Sequence, residues 1–289
     1  MKILIFGGGG MLGHKFVQIL QKNFDVWTSI RDDYKKYEKF GIFEKNKIIE
    51  GFNVLNLELI QKTVKKVKPD VVINAVGIIK QLPSSKDIIN TLSINSIFPH
   101  QLAEICMKNN CYLINISTDC VFDGEKGNYK EEDVSNAIDL YGKSKSLGEV
   151  TSERCVTLRT SIIGRELFTK HSLVEWFLSN QGNRIKGFVN AVYSGFPTII
   201  LADIISQLLK NKIFLEGLYH VSSNPINKFE LLKLLKNAFK MDVEIESFEE
   251  FKIDRSLNSD KFRKLTGFEP QSWEEMINKM ADDKTPYQN

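Results

Sequence analysis

The chain has 289 residues, 42% hydrophobic and 26% charged, with a formal net charge of +3. That balance describes an ordinary water-soluble globular protein with room for one large domain and a small lobe. The charge is too small to argue for a nucleic-acid partner, and no apolar run approaches the roughly 20 residues that cross a bilayer, so no membrane partner is expected either.

The opening "KILIF" reads as a buried strand rather than a targeting segment, because four glycines, Gly7 to Gly10, interrupt the run. A helix should follow over "MLGHKFVQILQKN", where Phe16, Ile19 and Leu20 mark one face. "DVWTSI" and "KIIEGF" predict the second and third strands. Next comes a helix over "LELIQKTVKKVK". Its basic cluster, Lys62, Lys65, Lys66 and Lys68, alternates with apolar residues at helical spacing and reads as a solvated face. Pro69 ends that helix before the strand in "PDVVINAVG". A helix over "NTLSINSIFPHQLAEICMKNN" leads into "CYLINIST".

Past Tyr141 the alternation loosens into "CVTLRTSII", "SLVEWFLS", "IILADIISQLLK", "GLYHVSS" and "KFELLKLLKNAFK". Near-continuous apolar strands separated by helices predict an α/β fold with a parallel sheet covered on both faces. "CVTLRTSII" is apolar enough to join that sheet. Cys106, Cys111, Cys120 and Cys155 contain no Cys-x-x-Cys pair. His14, His100, His171 and His220 form no short-spaced ligand set with them, so no metal is expected. A reducing, cytoplasmic setting fits this cysteine usage.

Three stretches carry chemistry. In "FGGGGMLGH", Gly7, Gly10 and Gly13 form Gly-x-x-Gly-x-x-Gly between a strand and a helix. Side chains there would keep a pyrophosphate from the backbone N–H groups of Gly7, Gly10, Met11, Leu12 and Gly13. The second strand ends in "IRDD". Arg31 suits a ribose 2′-phosphate and points to NADPH, while Asp32 and Asp33 leave NADH open. Asn53 is placed to meet the adenine edge. Ala75, Val76 and Gly77 are small enough to line the cofactor.

"YGKSK" puts Lys145 four residues after Tyr141, on one helix face, and no other tyrosine has that partner. A phenol whose pKa is drawn down by a nearby ammonium could give its proton to a carbonyl oxygen as hydride arrives at the carbon. A second donor must hold that oxygen, and Thr118 in "ISTDCVFDG" is the candidate.

Together "GGGGMLG", "NAVG", "ISTDCVFDG" and "YGKSK" resemble the extended short-chain dehydrogenase/reductase superfamily, and within it the dTDP-4-dehydrorhamnose reductase family. "LRTS", "GLYHVSS" and "SLNSDKF" extend the resemblance over nearly the whole chain. It implies a Rossmann-type doubly wound parallel sheet, with about residues 1–160 binding NADP, later segments rejoining that sheet, and 161–289 mainly forming a smaller substrate-binding lobe. It further implies a nucleotide-diphospho-sugar substrate, a catalytic triad of Thr118, Tyr141 and Lys145, and nicotinamide-ribose contacts from Lys145. A homodimer is common to reductases of this type, although no interface is legible here.

Cys120 departs from the family pattern Ser-Thr-Asp-Tyr-Val-Phe-x-Gly, where a tyrosine stands in its place. With no adjacent His it reads as a lining residue of the sugar pocket beside Asp119, not as a nucleophile. Ile162 stands where the family tends to carry an aromatic residue. "NAVYSGFPT", which begins at Asn190, resembles the family's substrate-closing loop. Arg255 could pair with a diphosphate or simply form a surface salt bridge. Trp176 is expected in the core and His220 in a structural role.

Two further readings accompany the reductase. One is a 4-epimerase or 4,6-dehydratase, although dehydratases usually follow the threonine with Asp-Glu, where this chain has Asp119-Cys120. The other is a non-catalytic NADP-binding regulatory subunit, because the regulatory subunit of methionine adenosyltransferase resembles the same family.

Overall fold

Strand β1 (Lys2–Phe6) sends alternate side chains to opposite faces, and Ile3, Leu4, Ile5 and Phe6 are all fully buried. Ile3 and Ile5 join one apolar cluster, whereas Leu4 and Phe6 join a second. A strand so placed must be covered on both faces, and the computed structural model, which describes residues 1–79 and 86–287, shows how.

The first half runs β1, α1 (Gly13–Leu20), β2 (Asp25–Ser29), β3 (Ile48–Ile49), α2 (Leu57–Val67), β4 (Val71–Asn74), α3 (Ile88–Leu92), α4 (Phe98–Lys108) and β5 (Tyr112–Thr118). It continues through α5 (Leu140–Leu147), β6 (Cys155–Thr160), β7 (Ile162–Ile163), α6 (Leu173–Leu178), β8 (Arg184–Tyr193), β9 (Phe196–Pro197) and α7 (Thr198–Lys210). The remainder is β10 (Gly217–His220), β11 (Ile226–Asn227), α8 (Lys228–Phe239), β12 (Glu244–Asp254), α9 (Asp260–Thr266) and α10 (Trp273–Ala281).

Seven strands form a wholly parallel sheet in the order β3-β2-β1-β4-β5-β6-β10. This is the Rossmann-type doubly wound arrangement. Its order reverses between β1 and β4, so a crevice opens beyond the carboxyl ends of those strands. A smaller sheet, β11-β8-β12, stands apart, with β8 packed against α8.

The strand predicted over "CVTLRTSII" breaks in two. β6 joins the main sheet, while β7 leaves it to pair with β9. The break is at Ser161, whose carbonyl accepts from the Phe196 amide (2.8 Å). The third strand is only two residues long. The helix expected from Asn90 starts earlier, at Ile88, and passes through a π-helical turn, Ser93–Ile97. There the Asn95 side chain binds both the N–H (2.8 Å) and the C=O (3.0 Å) of Ile78. Ser96 Oγ donates to the Ser144 carbonyl on α5 (2.8 Å). These side-chain bonds run to neighbouring segments at the point where the helix widens. Trp176 is 40% exposed on α6, so it is not a core residue. The lysine face of α2 is solvated, as its spacing predicts.

Two buried polar assemblies brace the sheet. Glu149 and Arg159 form an ion pair (2.7 Å), both side chains being less than one-tenth exposed. Ser117 on β5 donates to the same carboxylate (2.8 Å), and the Arg159 guanidinium lies 5.1 Å from the Phe122 ring centroid. Beside α1, which packs against α7, Asp283 pairs with Lys15, and the Tyr287 hydroxyl meets His14 Nε2 (3.0 Å). Burial drives His14 down to about 3, so its ring is neutral, and its Nδ1 bonds the Gly10 carbonyl (2.8 Å).

Removing one partner of a buried pair leaves an uncompensated charge. Arg159→Met should therefore lower unfolding free energy by about 3–5 kcal/mol, whereas the double variant Arg159→Met/Glu149→Leu should recover most of that loss. Urea unfolding followed by circular dichroism measures both.

Candidate active site

The glycine loop is shaped by close backbone approach. A Cβ on Gly13 would come 2.0 Å from the Gly7 carbonyl oxygen, so α1 can rest on the loop only with glycine there. Gly7 has φ +92° and lies against Ala75 and Val76. A Cβ on Gly10 would have room, so Gly10 owes its place to something other than packing. No acidic residue and no side-chain cap occupies the start of α1. The helix dipole and the amides around Met11 and Leu12 therefore face the crevice without a competing anion. The loop fits a dinucleotide pyrophosphate.

Beyond β2, Asp32 is bound by Lys36 (2.8 Å) and by the Tyr37 hydroxyl (3.4 Å), and the Lys36 bond holds its carboxyl below the usual range. The exposed Arg31 guanidinium has no hydrogen-bond or ion-pair partner among the described residues. Asn53 is exposed beyond β3, its Oδ1 accepting from the Leu55 amide (3.0 Å). Ala75 continues the β1–β4 ladder by donating to the Phe6 carbonyl (3.0 Å), and Gly77 is exposed just beyond it.

One chain of bonds ties this cradle to α5. Gly7 touches Val76, Ile78 is held by Asn95, and Asn95 Nδ2 donates to Ser144 Oγ (3.1 Å) on the helix that carries Tyr141 and Lys145. Asp139 caps α5 by accepting from the Gly142 amide (2.7 Å). A Cβ on Gly142 would come 2.1 Å from the Cys120 carbonyl oxygen, so α5 lies directly on the end of β5.

Thr118, Tyr141 and Lys145 converge on that end. Lys145 Nζ donates to the Ile116 carbonyl (2.7 Å), two residues before Thr118. The Thr118 hydroxyl faces the Tyr141 phenol. The electrostatics differ from the simple tyrosine–lysine picture. Burial raises the Tyr141 phenol well above its ordinary value, and Cys120 adds to the rise while Thr118 opposes it. Burial also lowers the Lys145 amine to about 8, against the attraction of Glu149. Each group is therefore pushed toward its neutral form, and the ammonium reaches the strand backbone rather than the phenol.

Asp119 is buried beside Thr118, its Oδ1 accepting from Thr118 Oγ1 (3.2 Å). Its pKa is raised by burial, against Cys120, Arg255, Ser161 and Thr118. Cys120 is half-buried, with Arg255 Nη1 at 3.9 Å from its sulfur. Arg255 arrives from the end of β12 and also donates from Nε to the Phe122 carbonyl (2.8 Å). No ion pair of Arg255 is formed among the described residues. Ile162 is half-buried just past β6, next to Ser161.

Asn190 does not join this group. It is exposed on β8, and its amide donates to the Glu249 carbonyl on β12 (2.9 Å). "NAVYSGFPT" forms the end of β8, a turn and β9 rather than an open loop. His220 lies at the back of the group, its ring 5.9 Å from that of Phe122 and its pKa lowered to about 3 by burial.

Sequence reasoning passed over Ser161, Tyr193 and Asn95. Tyr193 ends β8 inside the quoted "NAVYSGFPT", and its hydroxyl is buried near Ser161 without a hydrogen-bond partner among the described residues. For Asn95 the signal was present: "SINS" is a polar, poorly helix-forming run within a helical stretch.

Among the described residues no group of His, Cys, Asp and Glu is placed to hold a metal ion, and no helix is long and apolar enough to cross a membrane. Comparison with known proteins finds dTDP-4-dehydrorhamnose reductase of Aggregatibacter actinomycetemcomitans 28% identical over 235 residues, 78% of this chain and 74% of that one. Methionine adenosyltransferase 2 subunit beta of Bos taurus is 25% identical over 254 residues, 83% of this chain and 72% of that one. The crystal structure of dTDP-4-dehydrorhamnose reductase from Bacillus anthracis, in complex with NADP, superposes with a TM-score of 0.78 at 23% identity, covering 96% of this chain and 98% of that one. The family model described as RmlD substrate binding domain matches residues 1–285, and the chain belongs to that family.

Proposed function

We propose that this chain is an NADPH-dependent oxidoreductase, able also to take NADH, that reduces the 4-keto group of a nucleotide-linked 6-deoxysugar in the synthesis of a surface-polysaccharide precursor. One observation carries the reading: Thr118, Tyr141 and Lys145 meet at the end of β5, on a helix that Asn95 bonds to the segment beyond β4 that lies against the glycine loop. The similarity to dTDP-4-dehydrorhamnose reductase supports the substrate class.

The bound cofactor would supply the hydride. The chain's own groups manage the proton and the position. Thr118 donates a hydrogen bond that holds the sugar carbonyl. Tyr141, kept protonated by burial, gives its proton to the carbonyl oxygen. Lys145, anchored to the Ile116 carbonyl, offers its remaining donors to ribose hydroxyls. Arg31, unpaired among the described residues, is the group for a 2′-phosphate, while Asp32 is already engaged by Lys36. Much of the sugar pocket comes from residues 161–289, with Arg255 poised for the diphosphate beside Cys120.

The likeness to methionine adenosyltransferase 2 subunit beta favours a second reading, a cofactor-binding partner without turnover. Tyr141→Phe separates the two. The variant should keep cofactor affinity and lose about 10²–10⁴-fold in NADPH oxidation with 4-keto nucleotide sugars; a wild-type protein inert toward all such sugars would favour the partner role.

Arg31→Ala should weaken NADPH binding about 10–100-fold, the worth of a charge-assisted contact, and leave NADH binding unchanged; fluorescence titration with both cofactors tests this. The Lys145 amine, lowered to about 8, loses its charge as pH rises through that value. NADPH affinity should therefore fall across that range. In Lys145→Met it should be weaker at neutral pH and independent of pH there, as calorimetric titration would show.

A further inference from the structure

The proposed reaction leaves Tyr141 without its proton, and a buried phenolate must be reloaded before the next turnover. Thr118 connects it to a second acid. Its Oγ1 accepts from the Cys120 amide (3.1 Å), lies 3.2 Å from Asp119 Oδ1 and faces the Tyr141 phenol. A hydroxyl has one donor and two acceptor positions. In the resting site Thr118 donates to Asp119 Oδ1. With Asp119 as the acid that bond can reverse, so that Thr118, once it no longer holds the sugar oxygen, takes the Cys120 N–H and the Asp119 O–H on its two lone pairs and turns its own proton to Tyr141.

We propose that Asp119 is the proton reservoir of this site, returning a proton through the Thr118 hydroxyl to the Tyr141 phenolate after each reduction. The inference rests on the reductase reading above. The step is proton transfer alone. Asp119 gives its proton to Thr118 Oγ as Thr118 passes its own to the Tyr141 oxygen, and the carboxylate left behind recovers a proton from water once product leaves. No further oxidant or reductant is needed beyond the reduced nicotinamide cofactor.

The surroundings of Asp119 suit both of its states. The carboxyl is buried, and burial raises its pKa, which favours its acid form against the pull of Arg255. The groups facing it are Thr118 and Cys120 on its own strand end, Ser161 beyond β6, Tyr141 on α5, Tyr193 at the end of β8 and Arg255 beyond β12. When it becomes a carboxylate, Arg255 supplies an opposing charge. Tyr193 supplies a donor, because its buried hydroxyl, close to Ser161, makes no hydrogen bond within normal geometry among the described residues and feels the Asp119 charge. An orphaned hydroxyl is costly, and a neighbour that turns anionic once per turnover gives it a use.

Asp119→Asn keeps the shape and removes the transferable proton. Infrared spectra at neutral pH should show a protonated-carboxyl band in the wild type that is missing from Asp119→Asn, a readout that needs no turnover. In stopped flow, the first equivalent of NADPH that the variant oxidises should be faster than the turnovers that follow it, because Tyr141 is already protonated. Later turnovers should slow by roughly 10²-fold. Tyr193→Phe, which keeps the ring packed on Trp273, should slow later turnovers in the same way but less, and it serves if Asp119→Asn does not fold. No band, an unchanged steady state, or a first turnover lost as fully as the later ones would overturn the relay while leaving the reductase intact. A wild type that reduces no keto-sugar nucleotide would remove the reductase reading and the relay with it.

Discussion

A parallel strand that runs through the middle of a sheet must stop somewhere, and β5 stops in Ser117, Thr118 and Asp119 at a depth where water is scarce. Each of these polar groups has to be satisfied by protein. Ser117 is taken by the Glu149–Arg159 pair, Thr118 by the Cys120 amide, and Asp119 by Thr118 and its neighbours. Helix α5 is brought in close by the same requirement, with Gly142 allowing its backbone to lie on Cys120 and Lys145 capping the Ile116 carbonyl. A reactive cluster is the outcome of solving one strand's termination problem.

Burial sets the chemical character of that cluster more than pairwise charge does. The phenol and the amine are both driven toward neutrality, the first upward and the second downward. A neutral phenol is an acid ready to donate. An amine near 8 still carries charge at neutral pH, and its charge is directed to the strand and to whatever lies over it. The division of labour we propose between proton donor and cofactor anchor rests on where the two side chains point.

Much of this was legible in the residues. The glycine spacing marked the cradle, and the structure adds why Gly13 is indispensable and why Gly10 is not needed for packing. The Tyr141–Lys145 spacing placed both on one helix face, and "IST" named the strand end that they approach. The direction of the Lys145 side chain was not legible, since spacing fixes a face but not a partner. Nor was the meeting of Asp119 with Tyr193 and Arg255, which lie far along the chain and arrive through the smaller sheet. Trp176 misled because its helical position implies a packing face, and α6 turns that residue outward. Asn190 was drawn in by a motif whose backbone continues as strand, where its amide is spent on β12.

The clasp between Lys15 and Asp283 bears on how the protein is made. Lys15 leaves the ribosome with β1 and the glycine loop, yet its countercharge lies 268 residues further along the chain. Strand β10, which completes the main sheet, is also late. A nascent chain can gather its first strands around α1, but it must hold a buried-to-be lysine uncompensated until Asp283 has been added. Vectorial synthesis alone cannot finish the nucleotide-binding half of this molecule.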